Sequence, residues 1–151
     1  MKRQRGMTLI ELVLTIVIIG IAAAALFTAM AAITNQSSDP LLRQQSLDIA
    51  QAYLEEILLK DYADSSGTVC PAPPSSRSQY QVVCNYAGLN DNGAHDADGS
   101  AIAPLSGYQI GVTVNPQAWA GLSAADAVYV EVTVTDLANQ RLVLGGFRTR
   151  Y

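Results

Sequence analysis

The chain has 151 residues, enough for one domain and a long helix, and a formal net charge of −4. It has no basic patch of the kind that binds nucleic acid; Arg141, Arg148 and Arg150 come nearest and read as solvated strand ends. No nucleophile–base pair or metal-ligand spacing stands out, and Cys70 and Cys84 are too far apart for a redox pair, so the composition speaks against an enzyme.

The first stretch, Met1-Lys2-Arg3-Gln4-Arg5-Gly6, is short and basic. It runs into an apolar segment that contains Glu11 and then, from Leu12 to Ile33, no charge at all. A hydrocarbon core of about 30 Å takes about 20 residues at 1.5 Å rise each, so this segment is long enough to span. It is longer than the apolar core of a secretory signal, about 7–15 residues. Lys2, Arg3 and Arg5 precede it and no basic residue follows until Arg43, an asymmetry that predicts a cytoplasmic N-terminus and an external remainder. Gly20, Ala22, Ala23, Ala24 and Ala25 let helices approach closely in lipid. An acidic residue at the centre of such a helix costs roughly 2.5–3.5 kcal/mol, which marks Glu11 as a functional residue even near the end of the segment.

Arg5-Gly6-Met7-Thr8-Leu9-Ile10-Glu11-Leu12 resembles the N-terminus of type IV pilins and of the pseudopilins of type II secretion. The resemblance covers about the first fifth of the chain. It implies a leader, residues 1–6, cut after Gly6 by a prepilin peptidase, followed by N-methylation of Met7, where many members have Phe. It implies assembly into a fibre with other pilin or pseudopilin subunits at an inner-membrane platform, with Glu11 meeting the new amine of a neighbour's Met7. Pairing the two charges lowers the cost of burying each, and a shift along the helix leaves both alone, so Glu11 sets register. Losing Lys2, Arg3 and Arg5 leaves six basic against thirteen acidic residues, a balance of −7. Three shorter runs, Asp39-Pro40-Leu41-Leu42-Arg43-Gln44-Gln45, Gln51-Ala52-Tyr53-Leu54-Glu55-Glu56-Ile57 and Asn85-Tyr86-Ala87-Gly88-Leu89, resemble MshD-like minor pilins of the mannose-sensitive haemagglutinin pilus system.

The organisation expected is a membrane and assembly helix over 7–36 and a periplasmic domain over 37–151. Ser37-Ser38-Asp39-Pro40 reads as a break, because Ser and Asp cap helix starts and Pro fits the first turn. The alternative is one continuous helix bent at Pro40. A second helix to about Lys60 carries Leu47, Ala50, Leu54, Ile57, Leu58 and Asp61 at spacings of three and four, whose apolar members form a stripe to bury against a sheet. Residues 65–76 are a loop by composition, 79–86 a first strand, and 90–99 a turn-rich loop. Tyr108, Ile110, Val112 and Val114 then alternate, as do Val128, Val130, Val132 and Val134. Leu142 and Leu144 continue after a turn at Leu137-Ala138-Asn139-Gln140, and residues 117–125 suit a short helical turn capped by Asn115 or Ser123. The fold class is therefore α+β: a long N-terminal helix, half transmembrane and half amphipathic, packed on three or four antiparallel strands.

In an extracytoplasmic compartment, Cys70 and Cys84 suggest a disulfide that ties the loop containing Pro71, Pro73 and Pro74 to the first strand, worth about 3 kcal/mol. Asp91, Asp96 and Asp98 offer the oxygen ligands Ca²⁺ takes, but the pattern lacks the far Glu of a calcium loop, and a solvated Asp/Asn/Gly turn is the simpler reading. No other cofactor is expected. His95 reads as a solvated loop residue, Trp119 as a surface recognition residue or, more simply, as partly buried against the sheet, and no aromatic stripe marks a stacking platform. The function expected is a non-enzymatic minor pilin, priming assembly or placed at the tip. The alternatives are a type II secretion pseudopilin and a tip adhesin that binds through the Cys70–Cys84 loop or the loop around Asp96.

Overall fold

The computed structural model describes residues 8–150, and for residues 32–39 the backbone alone. One helix, α1 (Leu9–Leu58), carries the N-terminal third, with Pro40 inside it. The break expected before Pro40 is therefore absent and the continuous-helix alternative is the one seen. Proline there removes one i→i−4 hydrogen bond. The chain divides after Leu41 into two compact units.

The first unit is helical, and Leu9–Ala31, 23 residues, is long and apolar enough to cross a membrane, with none of it buried inside the molecule. Its two hydroxyl residues bond back to their own helix: Thr15 Oγ1 lies 2.7 Å from the Glu11 carbonyl and Thr28 Oγ1 donates to Ala24 at 2.9 Å. That satisfies both without water, as hydrocarbon requires.

The second unit sets the last part of α1 on a four-stranded antiparallel sheet of β1 (Asn90–Asn92), β2 (Gln109–Pro116), β3 (Ala127–Thr135) and β4 (Arg141–Thr149), in that order. The helix stripe that buries is Ile49, Ala50, Tyr53, Leu54 and Ile57, while Leu47 and Leu58 are half-buried and Asp61 is exposed. It meets Ile110 and Val112 of β2 and Val128, Val130, Val132 and Val134 of β3 in one apolar core. Strand alternation puts every second residue of β3 on that face, and each buried branched side chain contributes about 1.5–3 kcal/mol. Leu142 and Leu144 of β4 flank the core. The β3–β4 hairpin turns where expected: Asp136 Oδ1 accepts from the backbone N–H of Ala138 and Gln140, both at 2.8 Å, and Asn139 takes φ 59°.

Two expected elements differ. Residues 79–86 are not a strand: Gln79 ends one 3₁₀ turn, Arg77–Gln79, Val83–Tyr86 form another, and between them only Val82 makes a bridge, to Asp61. The Asn85 side chain accepts from the backbone N–H groups of Gln81 and Val82, both at 3.1 Å, and curls the segment back on itself. The first strand is instead Asn90–Asn92, held by pairing with Gln109, Ile110 and Gly111. Residues 117–125 contain no helix: Trp119 pairs with Leu122 around Ala120 and Gly121, both at positive φ, 49° and 87°.

Candidate functional site

Glu11 stands in the first turn of α1, where Thr8 accepts from the backbone N–H of Glu11 at 3.1 Å and of Leu12 at 3.2 Å. A carboxylate there favours the positive end of the helix dipole, by about 0.3–1 kcal/mol for an exposed group. Among the described residues its carboxylate has no ion-pair partner, and its neighbours Leu9, Ile10, Leu12, Val13 and Leu14 are exposed. The surface is a rod of apolar side chains carrying a single acid. Gly6 and Met7, where cleavage and methylation are expected, lie outside the described residues.

Residues 1–27 match the family model of the prokaryotic N-terminal methylation motif. That motif marks the type IV pilin and pseudopilin family. It implies processing by a prepilin peptidase and assembly with other pilin subunits, and together with the apolar helix it fits membrane anchoring in a pilus or pseudopilus. The family is structural rather than enzymatic. Neither the curated proteins nor the solved structures give a match to the chain. The likeness to the mannose-sensitive haemagglutinin minor pilins therefore rests on residues 39–45, 51–57 and 85–89 alone.

In the second unit the groups singled out from sequence are used structurally. Cys70 and Cys84 are joined, so the proline-rich loop is tied to the Val83–Tyr86 turn rather than to a strand. Asp91 sits in β1, and its Oδ2 accepts from Arg77 Nη1 at 2.8 Å and from the Tyr53 hydroxyl at 2.9 Å. Asp96 closes the next turn by accepting from the backbone of Asp98 and Ser100 at 3.1 and 2.8 Å, and Asp98 is exposed. Among the described residues no three His, Cys, Asp or Glu side chains are grouped to hold a metal.

Sequence reasoning missed Arg77, the centre of a buried cluster. Its Nη2 also pairs with Glu56 of α1 at 3.1 Å, and its guanidinium lies 4.7 Å from the Tyr53 ring centre and 5.7 Å from that of Tyr86. Burial pulls the Arg77 pKa down, and the contacts with Tyr53 and Glu56 more than reverse it, so the cation is held firmly. Tyr86 donates to the other oxygen of Glu56 at 2.6 Å. Burial, reinforced by that acceptor, pushes the Tyr86 hydroxyl well above its usual pKa. His95 is half-buried, its Nδ1 3.0 Å from the Gly93 carbonyl and 3.7 Å from Asp91, and its backbone N–H donates to Tyr53. Tyr53, Glu56 and His95 also line a groove of about 510 Å³ between α1 and residues 94–105. The charges of this cluster are engaged with one another, which locks helix to loop.

Trp119 lies partly buried against the sheet, as expected, within a group of three aromatic rings. Trp119 is 48% exposed, and one face stacks on Phe147 of β4 with ring centres 5.0 Å apart and planes 16° from parallel. Tyr129 of β3 meets the same Phe147 at 4.9 Å. No run of aromatics in the sequence shows this group, because it forms across two strands and a turn.

Proposed function

We propose that this chain is a non-enzymatic minor pilin, assembled into a type IV pilus through α1. In this reading residues 1–6 are a leader, residues 7–36 the membrane and assembly helix, and residues 37–151 a periplasmic domain. Prepilin peptidase cuts after Gly6, Met7 is methylated, and the N-terminus starts on the cytoplasmic face of the inner membrane. The observation that carries it is the methylation motif over residues 1–27, which overlaps the membrane-length stretch Leu9–Ala31 of a helix with one acid in its first turn. In lipid, Glu11 needs a cation, and the freed Met7 amine of a neighbouring subunit is the group its position selects. The minor role, priming assembly or capping the fibre, draws on the runs 39–45, 51–57 and 85–89. A pseudopilin of type II secretion would share the motif; co-purification with pilus rather than secretion components decides between them.

Intact and N-terminal mass spectrometry of the protein from membranes tests the reading. The expected mature chain begins at an N-methylated Met7. A chain that keeps Lys2 would overturn it.

A further inference from the structure

The sheet face turned away from α1 carries an arrangement that assembly through the N-terminal helix leaves unused. In register across β2, β3 and β4 lie Gln109–Thr135–Arg141, then Gly111–Thr133–Val143, then Thr113–Glu131–Gly145, then Asn115–Tyr129–Phe147. At the first end is a shallow hollow of about 450 Å³, lined by Gln109, Thr133, Thr135 and Arg141 with Asn90 beside them. It stays open because Gly111 has no side chain and nothing lies within 4 Å of where a Cβ would stand. At the other end Trp119, Phe147 and Tyr129 form the aromatic group, with Tyr129 lying over Gly145. Trp119 is held rather than loose: its turn is pinned by bonds with Leu122 at 3.2 and 2.8 Å and its ring by Phe147.

We propose that this face binds an extended neutral glycan. A sugar ring has a C–H face and a hydroxyl edge. The C–H face suits the flat, electron-rich ring of Trp119, as the aromatic quadrupole attracts partly positive hydrogens. Each hydroxyl both donates and accepts, and the face supplies both counterparts: Arg141, Gln109 and Asn90 donate, and Glu131 accepts. Arg141 and Glu131 together leave the face without net charge, on a chain that is otherwise acidic. That selects a neutral ligand over a polyanion. A peptide strand cannot add along the middle of this face, because the backbone groups of β3 are already paired on both sides. Six residues separate Arg141 from Phe147, about 20 Å at ~3.4 Å each, so the ligand is a chain of sugars rather than one.

Trp119 is the sole tryptophan, which makes it an internal reporter. Full-length processed protein in a detergent without a sugar head group is titrated with cellohexaose, laminarihexaose and maltohexaose, read by tryptophan emission and by calorimetry. At least one should bind and shift the emission, with little dependence on salt, and its monosaccharide should bind at least tenfold more weakly. Trp119→Ala and Arg141→Gln should each weaken calorimetric binding by about tenfold or more, while Arg43→Gln on α1 should leave it unchanged. The proposal is overturned if none of the three hexamers binds, if polygalacturonate binds in their place, or if the two face variants bind as the parent does. It is equally overturned if Trp119→Ala blocks co-assembly with pilins and no glycan binds, since the face is then a subunit contact. None of these results alters the mass of the processed N-terminus.

Discussion

Tyr86 donates its hydroxyl hydrogen to Glu56 at 2.6 Å, joining α1 to the turn that carries Cys84. The other Glu56 oxygen holds Arg77, so one helix carboxylate organises both a cation from the loop between the cysteines and a tyrosine just after the second of them. The side chains of Arg77 and Glu56 are only 7% and 18% exposed, so little water is present to replace a lost partner.

Removing the cation should therefore be costly. Arg77→Ala leaves Glu56 and Asp91 poorly solvated and facing each other, at a cost of about 3–5 kcal/mol at neutral pH. Glu56→Gln, which keeps an acceptor for Tyr86, should cost less. Thermal melts of the detergent-solubilised full chain check the order.

The disulfide spans a separation of 14 residues. In the chain-entropy account a loop of that size is worth about 3 kcal/mol. Cys70→Ser combined with Cys84→Ser should lose about that much, measured as a lower melting temperature, and a reductant should shift the parent toward the double variant. Non-reducing peptide maps should link the two cysteines.

Burial raises the hydroxyl pKa of Tyr53, Tyr62, Tyr86 and Tyr108 above the ordinary 10.0. Above about pH 10 the unfolded chain gives up these protons before the folded one does, so the folded state binds more protons and stability falls as pH rises. The stabilisation is fully present below pH 10. Melting temperature should hold up to that point and then decline, and tyrosinate absorbance should lag behind that of the unfolded chain.

Ala120 has φ 49°, a conformation that costs an L-residue roughly 1–2 kcal/mol. Ala120→Gly relieves it at some cost in unfolded-state entropy. A net gain of up to about 1 kcal/mol should raise the melting temperature.

Glu11→Ala should be made, inserted and cut normally, because neither the leader nor the apolar length changes. It should incorporate poorly into fibres, since the variant has nothing to meet a neighbour's amine. Immunoblots of sheared filaments against membranes measure the ratio, and normal incorporation would remove the register account.

Where periodicity carries the fold, the residues announce it. The alternation of Val128, Val130, Val132 and Val134 and the Asp136–Gln140 turn chemistry are local, and both stand where expected. The assembly motif is legible because its residues are contiguous. Arg77 is not, because its partners stand 21 and 14 positions away and nothing beside it in a Ser/Pro-rich loop marks it as buried. The Val82-Val83 pair looks like a strand, but Asn85 competes locally for the backbone and wins. Asn90–Asn92 has no strand-forming residue and becomes one only because β2 offers its edge.

β4 closes its side of the sheet with nine residues that include neither lysine nor proline. Such a border is a template for strand addition by any extended chain. Purified material stripped from the bilayer and concentrated should therefore convert slowly to thioflavin-positive aggregate, and a single lysine at Val143, which is 49% exposed, should delay it.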